Sequence, residues 1–392
     1  MTAHTSLEPR KLQQVRRRAI VVGLLGLFLY GFGGFLWPGR VWHSWLFAWV
    51  FWAGVALGCL AIVMIQHITG GAWGLAIRRI LEAGARTIPA MAILFIPVFF
   101  GMKKLYPWAR PELVAANPHL QHKAPYLNPA FFTVRAVIYF IAWSLLAWLL
   151  SRWSRLQDET GDVRYVDRFQ KLSGGGLLVF VLTMTFASVD WVMSMEPHWF
   201  STIYGGLLMA GFAVSAFCFA VAVAILLARV GPLERLVTPR VLHDLGKLLF
   251  AFVLVWAYFA LSQFLIIWYG NLPEEIPWYE RRFRGGWQWI GLAIILFHFA
   301  LPFLLLLSRG VKKDSKRLFR VAVLVFVMRL VDLYWMVAPG FFHDTTIHWL
   351  DMAAVLGLGG IWVFLFTTEL ARVPVLPERD PFLEEALVHA NE

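Results

Sequence analysis

Three segments bring acids, histidines and arginines into long apolar runs, at spacings that suit proton-coupled chemistry. The first passes through Thr183, Thr185, Ser188 and Asp190 and leaves its apolar run as Glu196-Pro197-His198-Trp199-Phe200. Asp190 stands among Ser188, Trp191 and Met195 with no basic residue within a helical turn. Partial burial would therefore poise it to take and give protons. The second segment holds Arg329 and Asp332 three residues apart, on one helical face, followed by Tyr334, His343, Asp344, His348 and Asp351. That pair reads either as a structural ion pair or as a proton-carrying couple. In the third, Arg135 enters another apolar run from the same end. Ionisable groups at membrane depth are costly, and those that remain are paired or functional.

His298 is the one histidine deep within an apolar run. With Tyr258, Ser262 and Gln263 of a neighbouring run it would form a proton-conducting line, or it is a satisfied core histidine. A bis-histidine haem needs a facing partner at equal depth, and His67, His243 and His348 all fall at or beyond run ends, so no haem is expected. His343, Asp344 and His348 have metal-donor chemistry but no fourth ligand, so no metal is expected either. Glu82, Asp244 and Glu369 sit near the opposite ends of their runs, as inner mouths of proton lines or simply as helix-end charges.

The elements that must position these groups follow from composition. Of 392 residues 59% are hydrophobic and 15% charged, against about 25% charged in an ordinary soluble domain. This excludes a water-soluble enzyme, a disordered chain and a disulfide scaffold. The 20 Trp belong where helices pass from hydrocarbon to headgroup. The only cysteines, Cys59 and Cys218, lie in apolar stretches, which rules out a c-type haem motif, an iron–sulfur run or a zinc ribbon. The chain is expected to be an all-α polytopic membrane protein. Its ten spans are near residues 19–37, 43–66, 86–102, 131–150, 174–194, 203–228, 248–269, 287–307, 319–338 and 349–370. Pro89 and Pro97 predict a kink in the third. The first follows a basic head of Arg10, Lys11, Arg16, Arg17 and Arg18, has no small-residue cleavage site, and reads as retained. Connections on the N-terminal side carry 25 Lys and Arg against 8 on the other, with Arg135 and Arg329 inside spans. Both termini are therefore expected in the cytoplasm, and the net charge of +11 needs no nucleic-acid partner.

Spans three and seven are preceded by similar signals, Arg79 with Glu82-Ala-Gly84 and Arg240 with Asp244-Leu-Gly246. Spans four and eight end in Ser151-Arg152 and Ser308-Arg309, and spans five and nine carry Asp190 and Asp332. This predicts two repeated four-helix bundles, spans 2–5 and 6–9, related by an axis along the membrane normal, with spans 1 and 10 flanking. The organisation is a basic tail (1–18), the first span and outer loop (19–42), a first bundle (43–195), a second bundle (196–340), an outer loop and tenth span (341–371) and a cytoplasmic tail (372–392).

The run Ser188-Val-Asp-Trp-Val-Met-Ser-Met-Glu-Pro-His-Trp-Phe-Ser-Thr-Ile-Tyr-Gly205, with Arg329-Leu-Val-Asp-Leu-Tyr-Trp335, resembles the NrfD-like, polysulfide-reductase-type membrane subunits. The likeness is to the second such subunit, of the ActF type, in bacterial alternative complex III, and it extends over essentially the whole chain. The resemblance implies a bacterial inner-membrane subunit of a quinol:cytochrome c oxidoreductase, or of one serving another periplasmic acceptor. Its partners would be an iron–sulfur subunit, c-type haem subunits and a second NrfD-like subunit, and its one cofactor a menaquinone or ubiquinone. Quinol oxidation releases two protons with two electrons, so it needs an acid or histidine acceptor beside an aromatic-walled slot. Asp190, Glu196 and His198 beside Trp191, Trp199 and Phe200 supply those types. Asp332, Arg329, His298, Arg135, Tyr258 and Gln263 would form the proton pathway. Whether this chain is itself catalytic stays open, as do a secondary transporter and a purely structural anchor.

Overall fold

The computed structural model describes residues 9–391 apart from 230, 232 and 378. Residues 1–8 of the basic tail, and the side chains of Pro9, Arg10 and Lys11, lie outside the described residues. Among these residues the chain is all helix and turn, with no strand. Nine helices are long and apolar enough to cross a membrane: α1 (Leu12–Leu36), α2 (Val41–Thr69), α6 (Pro129–Thr160), α7 (Arg164–Met195), α8 (Tyr204–Ala228), α9 (Pro239–Gly270), α11 (Trp287–Leu307), α12 (Ser315–Gly340) and α13 (Trp349–Leu370). The expected third span is broken into α3 (Arg78–Ala85), α4 (Ile88–Ile93) and α5 (Ile96–Leu105), with a 59° bend before α5; counted as one span, it brings the crossings among the described residues to ten. Pro89 and Pro97 each stand at the second position of a new helical segment, where a missing N–H costs nothing. The expected kink is thus a full break. The chain is a multi-pass integral membrane protein. Two short helices complete the part relevant below, α10 (Ile276–Arg282) and α14 (Leu383–Asn391).

We call the face carrying connections 70–77, 161–163, 229–238, 308–314 and 371–391 the near face, and the opposite one the far face. Helices α6 and α9, of 32 residues each, are about 48 Å long at 1.5 Å per residue, well beyond ~30 Å of hydrocarbon. Their surplus turns lie toward the near face, where Gln157, Asp158 and Lys247 are found.

Helices α2 to α7 contact one another, as do α8, α9, α11 and α12, and α2 meets α8 in the centre. The central position explains uniform apolarity: 89% of the apolar stretch of α2 and 72% of that of α8 is buried, against 22% for α9 and α11. Small residues let the central pair close. A Cβ on Gly58 would lie 2.2 Å from the Phe212 carbonyl oxygen, and one on Gly54 2.3 Å from the Phe212 ring. Helix α1 packs chiefly on α13 through Gly23 and Gly26 against Gly357 and Gly360, where an added Cβ would meet backbone at 2.3–2.9 Å. Its other side leaves Leu24, Phe28, Phe32 and Phe35 exposed, which suits lipid.

Candidate functional site

At the far end of the first group of helices, Asp190 is buried and held by α6. Arg135 donates to both carboxylate oxygens, Nε to Oδ2 at 2.9 Å and Nη2 to Oδ1 at 2.7 Å. Tyr139, one turn further along α6, donates its hydroxyl to Oδ2 at 2.9 Å. The third arm of the guanidinium, Nη1, donates to the Tyr126 carbonyl at 2.9 Å, and the cation lies 3.8 Å from the Tyr126 ring centre and 4.3 Å from that of Phe131. The reading of Asp190 as an acid without a cation is therefore corrected. Its own helix supplies none, but the facing helix supplies a bidentate one, the geometry that stabilises a buried carboxylate as an anion. Arg135, expected with Arg329 and Asp332, belongs instead to this centre.

Glu196 turns the other way. It accepts from Arg281 at 2.7 Å and Arg282 at 3.1 Å, both on α10. Arg282 is wholly buried, 3.5 Å from the Trp278 ring centre, and also donates to the carbonyls of Trp278, Trp335 and Met336. Burial pulls the Arg282 pKa down from its ordinary value, and Glu196 offsets part of that. Trp199 stacks on Trp278 at 4.8 Å and 18°. The 196–200 turn thus ties the two helix groups together rather than placing Glu196 beside Asp190. His198 is exposed, 3.2 Å from Asn117 Nδ2 and with its ring 5.9 Å from that of His119. Burial lowers its pKa, and the nearby His119, Lys123 and Arg281 lower it further.

Between the 196–200 turn and the 122–127 connection lies a far-face cavity of about 450 Å³. Lys123, Tyr126, Met193, Trp199 and Phe200 wall it, and Val189 and Ser194 bring the wall to within a residue of Asp190 and of Met195. Lys123 donates to the Pro197 carbonyl at 2.6 Å and lies 5.6 Å from the Phe200 ring centre. Trp199 and Phe200 line this cavity. Trp191 does not: it is fully buried in an aromatic cluster with Trp49 at 4.9 Å, Phe95 at 5.4 Å and Phe140 at 5.7 Å.

In the second group Arg329 donates through Nη1 to Asp332, which also accepts from Trp256 Nε1 of α9 at 3.0 Å. Arg329 is 1% exposed, yet its Nε and Nη2 have no protein partner. Gly211 of α8 makes the room, since a Cβ there would lie 2.2 Å from the guanidinium carbon. His298 lies in a π-helical stretch of α11, Ile294–Ala300, and its ring is 4.1 Å from that of Trp256. Arg329, Asp332, Trp256 and His298 therefore form one buried group. Gln263 shares the buried face of α9 with Trp256, seven residues on. Tyr258 is 66% exposed on the lipid-facing side and is no part of it, which corrects the expected line.

The remaining candidates have structural partners. His348 caps α13 by accepting from Leu350 N–H at 3.2 Å, and Asp351 returns the bond to the His348 N–H and accepts from Ser44. The His343 carbonyl accepts from Trp287. Glu369 binds Arg86 and Arg372, and Asp244 binds Lys247. Glu82 lies in a buried near-face network with Arg78, Arg79 and Ser154.

Sequence reasoning missed Tyr139, Trp256, Arg282, Lys123 and Gly211. Only Tyr139 carried a signal, its i,i+4 spacing from Arg135. No protein-family model matches this chain, and no curated protein sequence matches it.

Proposed function

We propose that this chain is the quinone-handling membrane subunit of a bacterial quinol:electron-acceptor oxidoreductase, of the kind seen as the second NrfD-like subunit of alternative complex III. The observation that supports the reading is the far-face cavity. It has the size of a small-molecule site, aromatic walls in Trp199, Phe200 and Tyr126, and a lysine at its side. A quinol headgroup would stack on those rings with a hydroxyl toward Lys123. On oxidation it loses two electrons and two protons. The electrons pass to iron–sulfur and c-haem partner subunits outside the inner membrane, because Cys59 and Cys218 are both buried singly and offer no cluster motif. The protons leave toward the mouth, where His198 stands between two wall residues and keeps a neutral imidazole able to accept. Asp190 in this reading is a positioning residue. Its pairing with Arg135 fixes the Tyr126 wall through the Arg135–Tyr126 contacts. Glu196 likewise holds the 196–200 turn against α10.

The test is to isolate the chain from native membranes in mild detergent, record a haem spectrum, and identify co-purifying polypeptides and quinone. Companion c-haem and iron–sulfur polypeptides with bound quinone are expected, and Phe200→Ala should raise the quinol KM several-fold with little change in kcat. A colourless, quinone-free chain, or an unchanged KM, would overturn the reading.

A further inference from the structure

We propose that the near-face cavity between α2, α6, α7 and the C-terminal segment is a binding site for a primary ammonium group with a neighbouring oxygen, the chemistry of an ethanolamine headgroup. The cavity, of about 320 Å³, lies at the opposite end of the molecule from the candidate quinone site. Three of its wall residues are more than nine-tenths buried and each presents a polar atom with no protein partner: Gln66 Oε1, His67 Nε2 and Gln157 Nε2. Unpaired buried polar atoms cost free energy unless something fills the space between them.

The hydrogen-bonding sense of one of them is fixed by its neighbour. Gln157 Oε1 accepts from Arg78 Nη2 at 3.3 Å, so its NH₂ is the free end and offers a donor. His67 Nδ1 is 3.1 Å from Ser173 Oγ. In the tautomer that the proposed site requires, Nδ1–H donates there and Nε2 is an acceptor, like Gln66 Oε1. Two acceptors and one donor match an N–H-bearing group with an oxygen close by.

Charge selects a cation. Arg78 is spent on Glu82 at 3.1 Å, Asp380 at 2.5 Å, Ser154 and Gln157. Arg79 is spent on Glu82, Asp158 and Ser154. Two cations thus face three carboxylates, and Glu385 at the cavity wall adds a fourth. An anion would meet net repulsion there and an ammonium net attraction. A quaternary ammonium has no N–H to give. The site lies where α2 ends at Thr69 and Ile68 is 43% exposed, the depth of lipid headgroups. A headgroup or a soluble amine has access there, and Asp380 and Glu385 make the C-terminal segment one wall.

The full chain, reconstituted in phosphatidylcholine vesicles, is followed by thermal unfolding with and without phosphatidylethanolamine in the bilayer, and with millimolar ethanolamine added to the pure phosphatidylcholine sample. A rise of a few degrees is expected with either source, and it should be lost in Gln66→Leu. A response to the lipid alone assigns a headgroup, and one to free ethanolamine alone a soluble amine. If Gln66→Leu does not fold, Glu385→Gln at an exposed position carries the comparison through a weakened response. The proposal is overturned if the wild-type chain responds no more than the variant, or if choline or inorganic phosphate stabilises it equally.

Discussion

The two helix groups hold the same charges in opposite ways. On the far side of the first group, Arg135 and Asp190 come from different helices, and every arm of the guanidinium is used. In the second, Arg329 and Asp332 share one helix, and two guanidinium nitrogens are left over in a site almost closed to solvent. An interhelical, saturated pair is a clamp, since moving either helix breaks it. An intrahelical, unsaturated pair reaches a neighbouring helix only through the Trp256–Asp332 bond, and its free N–H groups suit an ordered water. The first group therefore supplies the rigid wall of the far-face cavity, and the second encloses a polar interior with unused donors.

This contrast is most strongly tested by removing each acid. Asp332→Asn leaves Arg329 buried with no anion and already short of acceptors, and should destabilise the chain by about 3–5 kcal/mol in denaturant unfolding. Asp190→Asn leaves Arg135 its Tyr126 carbonyl and two aromatic faces, so the loss should fall at or below the lower end of that range. The reverse order would mean that the interhelical clamp, not the unpaired charge, dominates.

Next in size is the link between the groups. Glu196→Gln removes the carboxylate from Arg282, which is 0% exposed, while three carbonyls still accept from it. A cost of about 1.5–3 kcal/mol is expected, the range for a hydrogen bond to a charged group. Glu196→Gln should also raise proteolysis within 196–204. A stable variant with unchanged cleavage would show that Trp199 on Trp278 suffices.

Gly211→Ala probes the space beside Arg329 and should cost about 1–3 kcal/mol by overpacking. The matching change in the first group, Gly175→Ala, meets nothing within 4 Å and should be neutral or stabilising by up to about 1 kcal/mol. Equal effects from the two, read as unfolding midpoints, would remove the case for a site built around the guanidinium.

Much of this architecture was legible because hydropathy reports depth. The crossings and the presence of Asp190, Arg135, Arg329 and Asp332 within the apolar layer follow from where charges interrupt apolar runs, and Pro89 and Pro97 marked a kink where the chain in fact breaks. Azimuth is a different matter. Helices α2 and α8 are apolar all round, so no stripe tells which neighbour each faces. Arg135 and Asp190 could be placed at similar depth, but that Arg135 points at Asp190 is a fact of packing between helices 55 residues apart in sequence. Trp256 was one of 20 tryptophans, with nothing in its local sequence to mark its bond to Asp332. Tyr258, two residues away, faces lipid because two positions on a helix lie about 200° apart. Gly211 was silent for the same reason, as the value of a missing side chain appears only when its neighbour is known.

The smallest expected effect concerns acid. His198 has its pKa lowered by burial and by His119, Lys123 and Arg281, while the nearby Glu196 carboxylate is occupied by Arg281 and Arg282. The fold therefore disfavours the imidazolium relative to the unfolded chain, whose histidine titrates near 6.5. The associated stability is complete above that pH and is lost as pH falls below it, through the lowered folded-state value. His198→Gln should leave the unfolding midpoint at pH 7.5 nearly unchanged and make its decline on acidification from pH 6.5 slightly shallower. Because His198 is exposed, solvent screening keeps the difference small. A steeper decline in the variant would instead mean that the imidazolium is stabilised at this mouth. The cations around it would then not set its proton affinity, and His198 would hold a proton more tightly than a free histidine does.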